Sequence, residues 1–441
     1  MLRRATFLLL LVLSIAGQAQ QLNRAKLDSL LDGLAANKKL MGSLTLARDG
    51  QVVYRRAFGA RQVAPEIAAT PATRYRIGSI TKVFTAVLIM QLVDEKKLAL
   101  NTPLARFFPQ LPNARSITVD HLLRHRSGLH SFTSDAAYAT YLTKPQTQAA
   151  MLARIGAAPP DFAPGARYEY SNSNFVVLGY IVEQLTKQPY AQALQQRIVR
   201  KVGLTSTYCG SRLAPARQEA LSYNFRGSWQ LSPETDLSIP GGSGAVVSTP
   251  TDLTQFLTAL FGGRLVSAAS LATMQTMRDG YGRGLMALPF GSRASFGHTG
   301  TMDGFRAMAT YFPTGHLTLA LCTNAQNYVL NDALEGIVAI CFNQPYRIPT
   351  FAPSTYVPAP VDLARYAGTY ASTQMPLVIT LRTEGTHLRG QATGQPMVLR
   401  LEPVRAGVFQ SEPAGIGIKF HPAKPGFTLH QGGGSFVFTK K

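Results

Sequence analysis

The stretch Tyr75–Leu100, YRIGSITKVFTAVLIMQLVDEKKLAL, constrains this chain more than any other. After Gly78, the residues Val83, Phe84, Val87, Leu88, Ile89, Met90, Leu92 and Val93 cover every side of a helix. A helix with no polar face belongs in the middle of a domain. Two polar side chains at its start, Ser79 and Lys82, are three residues apart and share a face. A hydroxyl with an amine one turn above it is a poor core and a good nucleophile with its base. Serine attacks only when a neighbour takes its proton. Lysine can take that proton only when neutral, so its pKa must fall from about 10.4 to roughly 7–8. Desolvation among apolar side chains acts in that direction. The free N–H groups at the helix start are also placed to hold an oxyanion. Alone, the pair reads as an N-cap serine and a lysine reaching for solvent, because S-x-x-K recurs in unrelated chains.

Two later motifs change that reading. Tyr170-Ser171-Asn172 lies within PGARYEYSNSNFVVLGYIVEQL, and His298-Thr299-Gly300 within FGHTGTMDGF. S-x-x-K, Y-x-N and a [K/H]-[T/S]-G triplet, in that order, resemble the penicillin-recognising serine hydrolases. That group includes the class C β-lactamases, the D-alanyl-D-alanine carboxypeptidases and related esterases. The resemblance runs from about Leu22 to Asn343, with support from ITVDHLLRHRSGL (Ile117–Leu129) and GGSGAVVSTPTDLTQFL (Gly241–Leu257).

Position by position, the resemblance implies that Ser79 is the acylated nucleophile and Lys82 the amine that activates it. Tyr170 would relay a proton to the leaving group, and as a phenolate it would need two nearby cations. Which of Lys82 and Tyr170 is the principal base stays open at this point. Asn172 would orient the substrate amide or hold Lys82. His298, Gly300 and Thr301 would line the cleft from a strand at the sheet edge. Gly300 would let substrate approach the backbone, and the Thr301 N–H would pair with that of Ser79 as the oxyanion hole. Many relatives carry lysine where His298 stands. A histidine is only partly charged at neutral pH, which shifts the expectation from penicillin carboxylates towards esters and amino-acid-derived amides. Arg306 is read as a surface residue. His121 and His125, spaced i and i+4, suggest a metal pair, but no glutamate lies between them and the segment reads as a helix-to-loop piece of the family. No metal or cofactor is expected.

The opening MLRRATFLLLLVLSIAGQAQQ has Arg3 and Arg4 before an apolar Phe7–Ile15 and small residues at Gly17 and Ala19. This is the pattern of a secretory signal cut after Ala19. It is too short to span a bilayer stably, and no cysteine at the cut argues for a lipid anchor. The expectation is a periplasmic or secreted protein with no stable membrane anchor. The formal charge of +21 is scattered without a basic run, which suits contact with anionic envelope polymers and argues against nucleic acid. The three cysteines, Cys209, Cys322 and Cys341, are odd in number and widely spaced, so they form neither a disulfide framework nor a zinc site.

Strands at Ser43–Gly59, joined at Asp49-Gly50, return at Phe305–Phe312 and Leu317–Cys322, with helical periodicity between. This predicts an α+β fold, one antiparallel sheet flanked by helices, over residues 22–344. Five prolines in residues 345–360 read as a stiff linker. Residues 361–441 offer eight short alternating runs with glycine turns, the pattern of a small antiparallel β-barrel. Its opening LARYAGTYAS is similar to the lipocalin-like extension found behind some of these hydrolases.

The expected activity is hydrolysis of an ester or amide bond in a small molecule or peptide through an acyl-enzyme on Ser79. The alternatives are a true class C-like β-lactamase or D-alanyl-D-alanine carboxypeptidase and, in another class, a non-catalytic peptidoglycan-binding protein.

Overall fold

The computed structural model describes residues 22–351, 355–374, 377–394, 398–411, 416–421, 424–431 and 434–441. The secretory signal expected over residues 1–19, and residues 352–354 of the expected linker, lie outside the described residues. No helix among the described residues is long and apolar enough to cross a membrane.

Helix α1 (Arg24–Ala36) begins where the Asn23 side chain accepts from the Lys26 N–H at 3.0 Å. It feeds β1 (Leu40–Arg48) and β2 (Gln51–Phe58), whose turn uses the positive φ of Asp49 and Gly50. Helices α2 (Thr81–Asp94), α3 (Asn172–Thr186) and α4 (Pro250–Phe261) follow. The chain then returns as β3 (Met286–Ala287), β4 (Phe296–Met302), β5 (Phe305–Phe312) and β6 (Leu317–Gln326), and closes the sheet region with α5 (Leu330–Cys341). The strands pair antiparallel in the order β3-β4-β5-β6-β1-β2. Leu40 faces Gln326 in the register of β1 with β6, so the first and last strands of this region meet at its centre.

Alternation along the strands sets the layers. Leu44, Leu46, Leu319 and Leu321 point to one face and are buried by α1 and α5. Ala307, Ala309, Ala320 and Cys322 point to the other, where small side chains let α4 come close and the core around α2 begins. Every residue of α2 from Thr81 to Leu92 is buried. Each large apolar side chain there contributes roughly 1.5–3 kcal/mol, enough in sum to carry one buried amine. Cys322 and Cys341 are buried free thiols and Cys209 a half-buried one; desolvation pushes Cys209 up to about 11 and Cys341 to about 12, so none is a ready thiolate.

The proline-rich segment does not begin as a free spacer, because Tyr346, Ile348 and Phe351 pack on the cluster under α1 and α5. Beyond a short helix (Pro360–Tyr366), eight strands follow: β7 (Gly368–Ala371), β8 (Val378–Glu384), β9 (His387–Ala392), β10 (Val398–Arg405), β11 (Val408–Ser411), β12 (Ile416–Phe420), β13 (Gly426–Gln431) and β14 (Gly434–Lys440). They close into a barrel when β14 pairs with β7, Tyr370 opposite Lys440. Tyr370, Phe409, Phe420, Phe427 and Phe438 are buried together inside it, so side chains fill the space where a wider barrel would hold a ligand.

Candidate active site

Ser79 is delivered by a strand, a turn and a helix. Tyr75–Arg76 pairs with Val246–Ser248, Gly78 turns the chain at a φ of +50°, and one 3-10 turn (Gly78–Ile80) leads into α2. From Tyr75 to Leu92, Ser79 is the one residue that is not buried. It opens into a cleft of about 530 Å³, shared with Tyr170, Asn172, Ser243 and Thr301.

Lys82 is fully buried, and desolvation pushes its amine well below the usual lysine range. Its Nζ lies 3.0 Å from Ser79 Oγ, 2.8 Å from Asn172 Oδ1 and 2.9 Å from the Ser243 carbonyl. A neutral amine has two N–H donors and one lone pair. The Asn172 and Ser243 oxygens can only accept, so they take both donors and leave the lone pair facing the Ser79 hydroxyl. Asn172 is held in that orientation because its Nδ2 donates to Thr133 Oγ1 at 3.0 Å. The Ser243 carbonyl is placed by a close approach of backbones. A Cβ on Gly242 would stand 2.7 Å from the Phe175 carbonyl and 2.9 Å from Gly179 Cα on α3. Sequence reasoning missed Ser243 as a partner because it acts through its carbonyl; the glycines of GGSG were the available signal.

Tyr170 lines the same cleft as Ser79, and burial raises its pKa above the usual phenol value. Lys82 Nζ lies 5.0 Å from the centre of the Tyr170 ring, but a neutral amine supplies no cation to stabilise a phenolate. The same desolvation therefore drives the two groups apart: the amine to its accepting form, the phenol to its donating one.

On β4 the structure sharpens two expectations. A Cβ on Gly300 would stand 1.9 Å from the Ile77 carbonyl and 3.2 Å from the Ser79 nitrogen, and one on Gly78 would stand 2.8 Å from the Thr301 nitrogen. The backbone that Gly300 admits is therefore the turn carrying Ser79, rather than substrate. These two glycines bring the amides of Ser79 and Thr301 to the same end of the cleft. His298 is 1% exposed, accepts from the Tyr281 hydroxyl at 3.0 Å and donates from Nδ1 to the Thr299 carbonyl at 2.5 Å. Desolvation lowers its pKa to about 3, so it is neutral and faces the interior, away from the cleft where sequence reasoning put it. Arg306, expected at the surface, is half-buried and donates to the carbonyls of Asp303 and Phe305, tying the β4–β5 turn.

The His121 and His125 pair does not form one helix face. The helix Val119–Leu123 ends before His125, which takes a φ of +52°, while His121 caps the helix start by accepting from the Thr118 N–H.

The cleft wall is apolar over Phe132, Tyr138, Leu142, Pro233, Pro240 and Met302. Among the described residues, no Lys, Arg or His lines it, and the one carboxylate is Asp303. That carboxylate accepts from the Thr235 hydroxyl at 2.6 Å and pairs with buried Arg76 at 3.4 Å. Arg76 also reaches Glu234 and the Thr235 carbonyl, both at 2.6 Å, and so joins the strand before Ser79 to the cleft rim. Arg76→Ala would leave Asp303 uncompensated and is expected to lower stability by about 3–5 kcal/mol. A urea titration checks it.

Comparison with known proteins agrees with this geometry. The family described as Beta-lactamase matches residues 27–339. Penicillin-binding protein 4 of Amycolatopsis lactamdurans is 28% identical over 379 residues, covering 77% of this chain and 95% of that protein. Esterase EstB of Burkholderia gladioli is 30% identical over 247 residues, covering 51% of this chain and 61% of the esterase. The crystal structure of a D-stereospecific amidohydrolase from Streptomyces sp. superposes with a TM-score of 0.63 at 28% identity, over 73% of this chain and 98% of that one.

Proposed function

Because this chain belongs to the beta-lactamase family and is a serine hydrolase of that fold, we propose that it is exported and cleaves uncharged esters or amides through an acyl-enzyme on Ser79. The observation that carries the substrate class is the cleft, which is walled by apolar side chains and, among the described residues, is lined by no cation to receive a carboxylate. A carboxypeptidase or a penicillin-hydrolysing enzyme must bind a substrate carboxylate, and here the residue in that motif position, His298, is neutral and buried. The esterase and amidohydrolase among the relatives point the same way.

In the proposed reaction, neutral Lys82 takes the Ser79 proton as Oγ attacks the substrate carbonyl carbon. The carbonyl oxygen gains negative charge, and the amides of Ser79 and Thr301 receive it. When the tetrahedral intermediate collapses, Tyr170 donates its proton to the departing alcohol or amine, and the proton held on Lys82 restores it. Water then attacks the acyl-enzyme with the same base, giving the free acid and Ser79. Tyr170 stands beside Ser79 and is held protonated, which suits the donor role.

A substrate panel tests the reading. p-Nitrophenyl esters and D-amino-acid amides are expected to turn over at least 100-fold faster, by kcat/KM, than nitrocefin or peptides ending in D-alanyl-D-alanine. A fluorophosphonate adduct should map to the peptide carrying Ser79. Preference for the carboxylate-bearing substrates would overturn the substrate class. The absence of any Ser79 adduct would overturn the mechanism and favour a peptidoglycan-binding role.

A further inference from the structure

His125 stands outside the mechanism above, yet it is fully buried beneath it. Its carbonyl accepts from the Glu169 N–H at 2.9 Å and its Nδ1 accepts from the Ser171 N–H at 3.1 Å. The same ring nitrogen lies 3.2 Å from Asn174 Nδ2 on α3. The backbone on both sides of Tyr170 is thus fastened to one residue. The imidazole also lies against the Tyr170 ring, with centroids 4.3 Å apart. Two donors at Nδ1 put the proton of the neutral ring on Nε2, and that atom is buried without a hydrogen-bond partner, in a ring whose centroid lies 4.7 Å from that of Tyr281 and 5.2 Å from that of Phe175. A side chain chosen only to fill this box would be apolar and would leave no orphaned donor. The acceptor at Nδ1 is the feature an apolar side chain cannot supply.

We infer that His125 is a positioning residue for the reaction, holding the Tyr170 hydroxyl against Ser79 through the Ser171 amide. The inference rests on the acyl-enzyme reading above. Asparagine can place an oxygen where Nδ1 stands and accepts the positive φ that position 125 requires. Leucine keeps the bulk and removes the acceptor. A shift of Tyr170 by about 1 Å is enough to slow the chemistry by about 100-fold.

The test compares His125→Asn and His125→Leu, each in the parent and in a Tyr170→Phe background, by p-nitrophenyl ester hydrolysis. In the parent, His125→Leu should lower kcat by about 100-fold with KM within twofold, and His125→Asn should stay within about fivefold. In the Tyr170→Phe background both substitutions should change kcat by less than about threefold, because nothing is left to position. Equal losses in the two backgrounds, or no loss in the parent, would overturn the inference. Should the leucine variant not fold, the asparagine variant decides: a 100-fold loss in the parent, or an equal loss in both backgrounds, would overturn it. Fluorophosphonate labelling of Ser79 in the parent separates this outcome from failure of the hydrolase reading itself.

Discussion

Lys82→Ala is expected to slow acylation of Ser79 by about 100- to 10,000-fold, the range a well-placed general base contributes. The reason lies in three distances. Only one lone pair remains on Nζ once Asn172 and Ser243 have taken its hydrogens, and that lone pair faces the nucleophile at 3.0 Å. Tyr170 cannot replace it, because burial holds the phenol protonated. Single-turnover kinetics with a p-nitrophenyl ester measure the step directly. Acylation at the parent rate would take the amine out of the mechanism.

The pH profile carries the same claim. The proposed mechanism requires unprotonated Lys82, so kcat/KM should rise with pH through the lowered amine pKa, well under the usual lysine value. His298, held at about 3, and His125, pushed well below the ordinary histidine value, are already neutral there and do not contribute that limb. Stability follows a related slope. The unfolded chain binds a proton on Lys82 below about pH 10.4, whereas the folded chain refuses it down to the lowered pKa. Between those limits the unfolded state holds more protons, so the Lys82 contribution to stability rises with pH. Lys82→Ala should flatten both the rate limb and this slope.

Ser79 and Lys82 were legible because a helix face converts a spacing of three into proximity, and no tertiary information is needed for that. The eight barrel strands were legible for a similar reason: alternation and glycine turns are local. The limits show at residues 121–125. The i, i+4 rule holds only while the helix continues, and this one stops at Leu123 with His125 at positive φ. His298 was placed correctly on its strand and given the wrong surroundings. Residue type does not say which face of a strand a side chain takes; register does, and His298 opposite Ala309 lies on the buried face. Ser243 escaped because a backbone carbonyl leaves no mark in residue identity. Tyr170 and Lys82 were named together as rival bases because residue type alone says nothing of burial; desolvation acts on them in opposite directions, lowering the amine pKa and raising the phenol's.

Gly300→Ala is expected to fail where most single-methyl additions pass. The added carbon would sit 1.9 Å from the Ile77 carbonyl oxygen, a backbone atom that cannot swing aside. Either β4 lifts away from the Ser79 turn or the turn itself gives way. In both cases the Thr301 amide leaves its place beside the Ser79 amide, and losing one oxyanion donor lowers kcat by about 100- to 1,000-fold. The strand's displacement also strains the core, at a cost of about 1–3 kcal/mol. Gly33 is the control. It lies within α1 with nothing within 4 Å of its would-be Cβ, so Gly33→Ala should leave kcat unchanged and raise stability by roughly 0.5–1 kcal/mol. Steady-state kinetics beside thermal unfolding separate the two effects. Full activity in Gly300→Ala would mean that the amide pair set by Gly78 and Gly300 does not hold the oxyanion, and that the developing charge is stabilised elsewhere in the cleft.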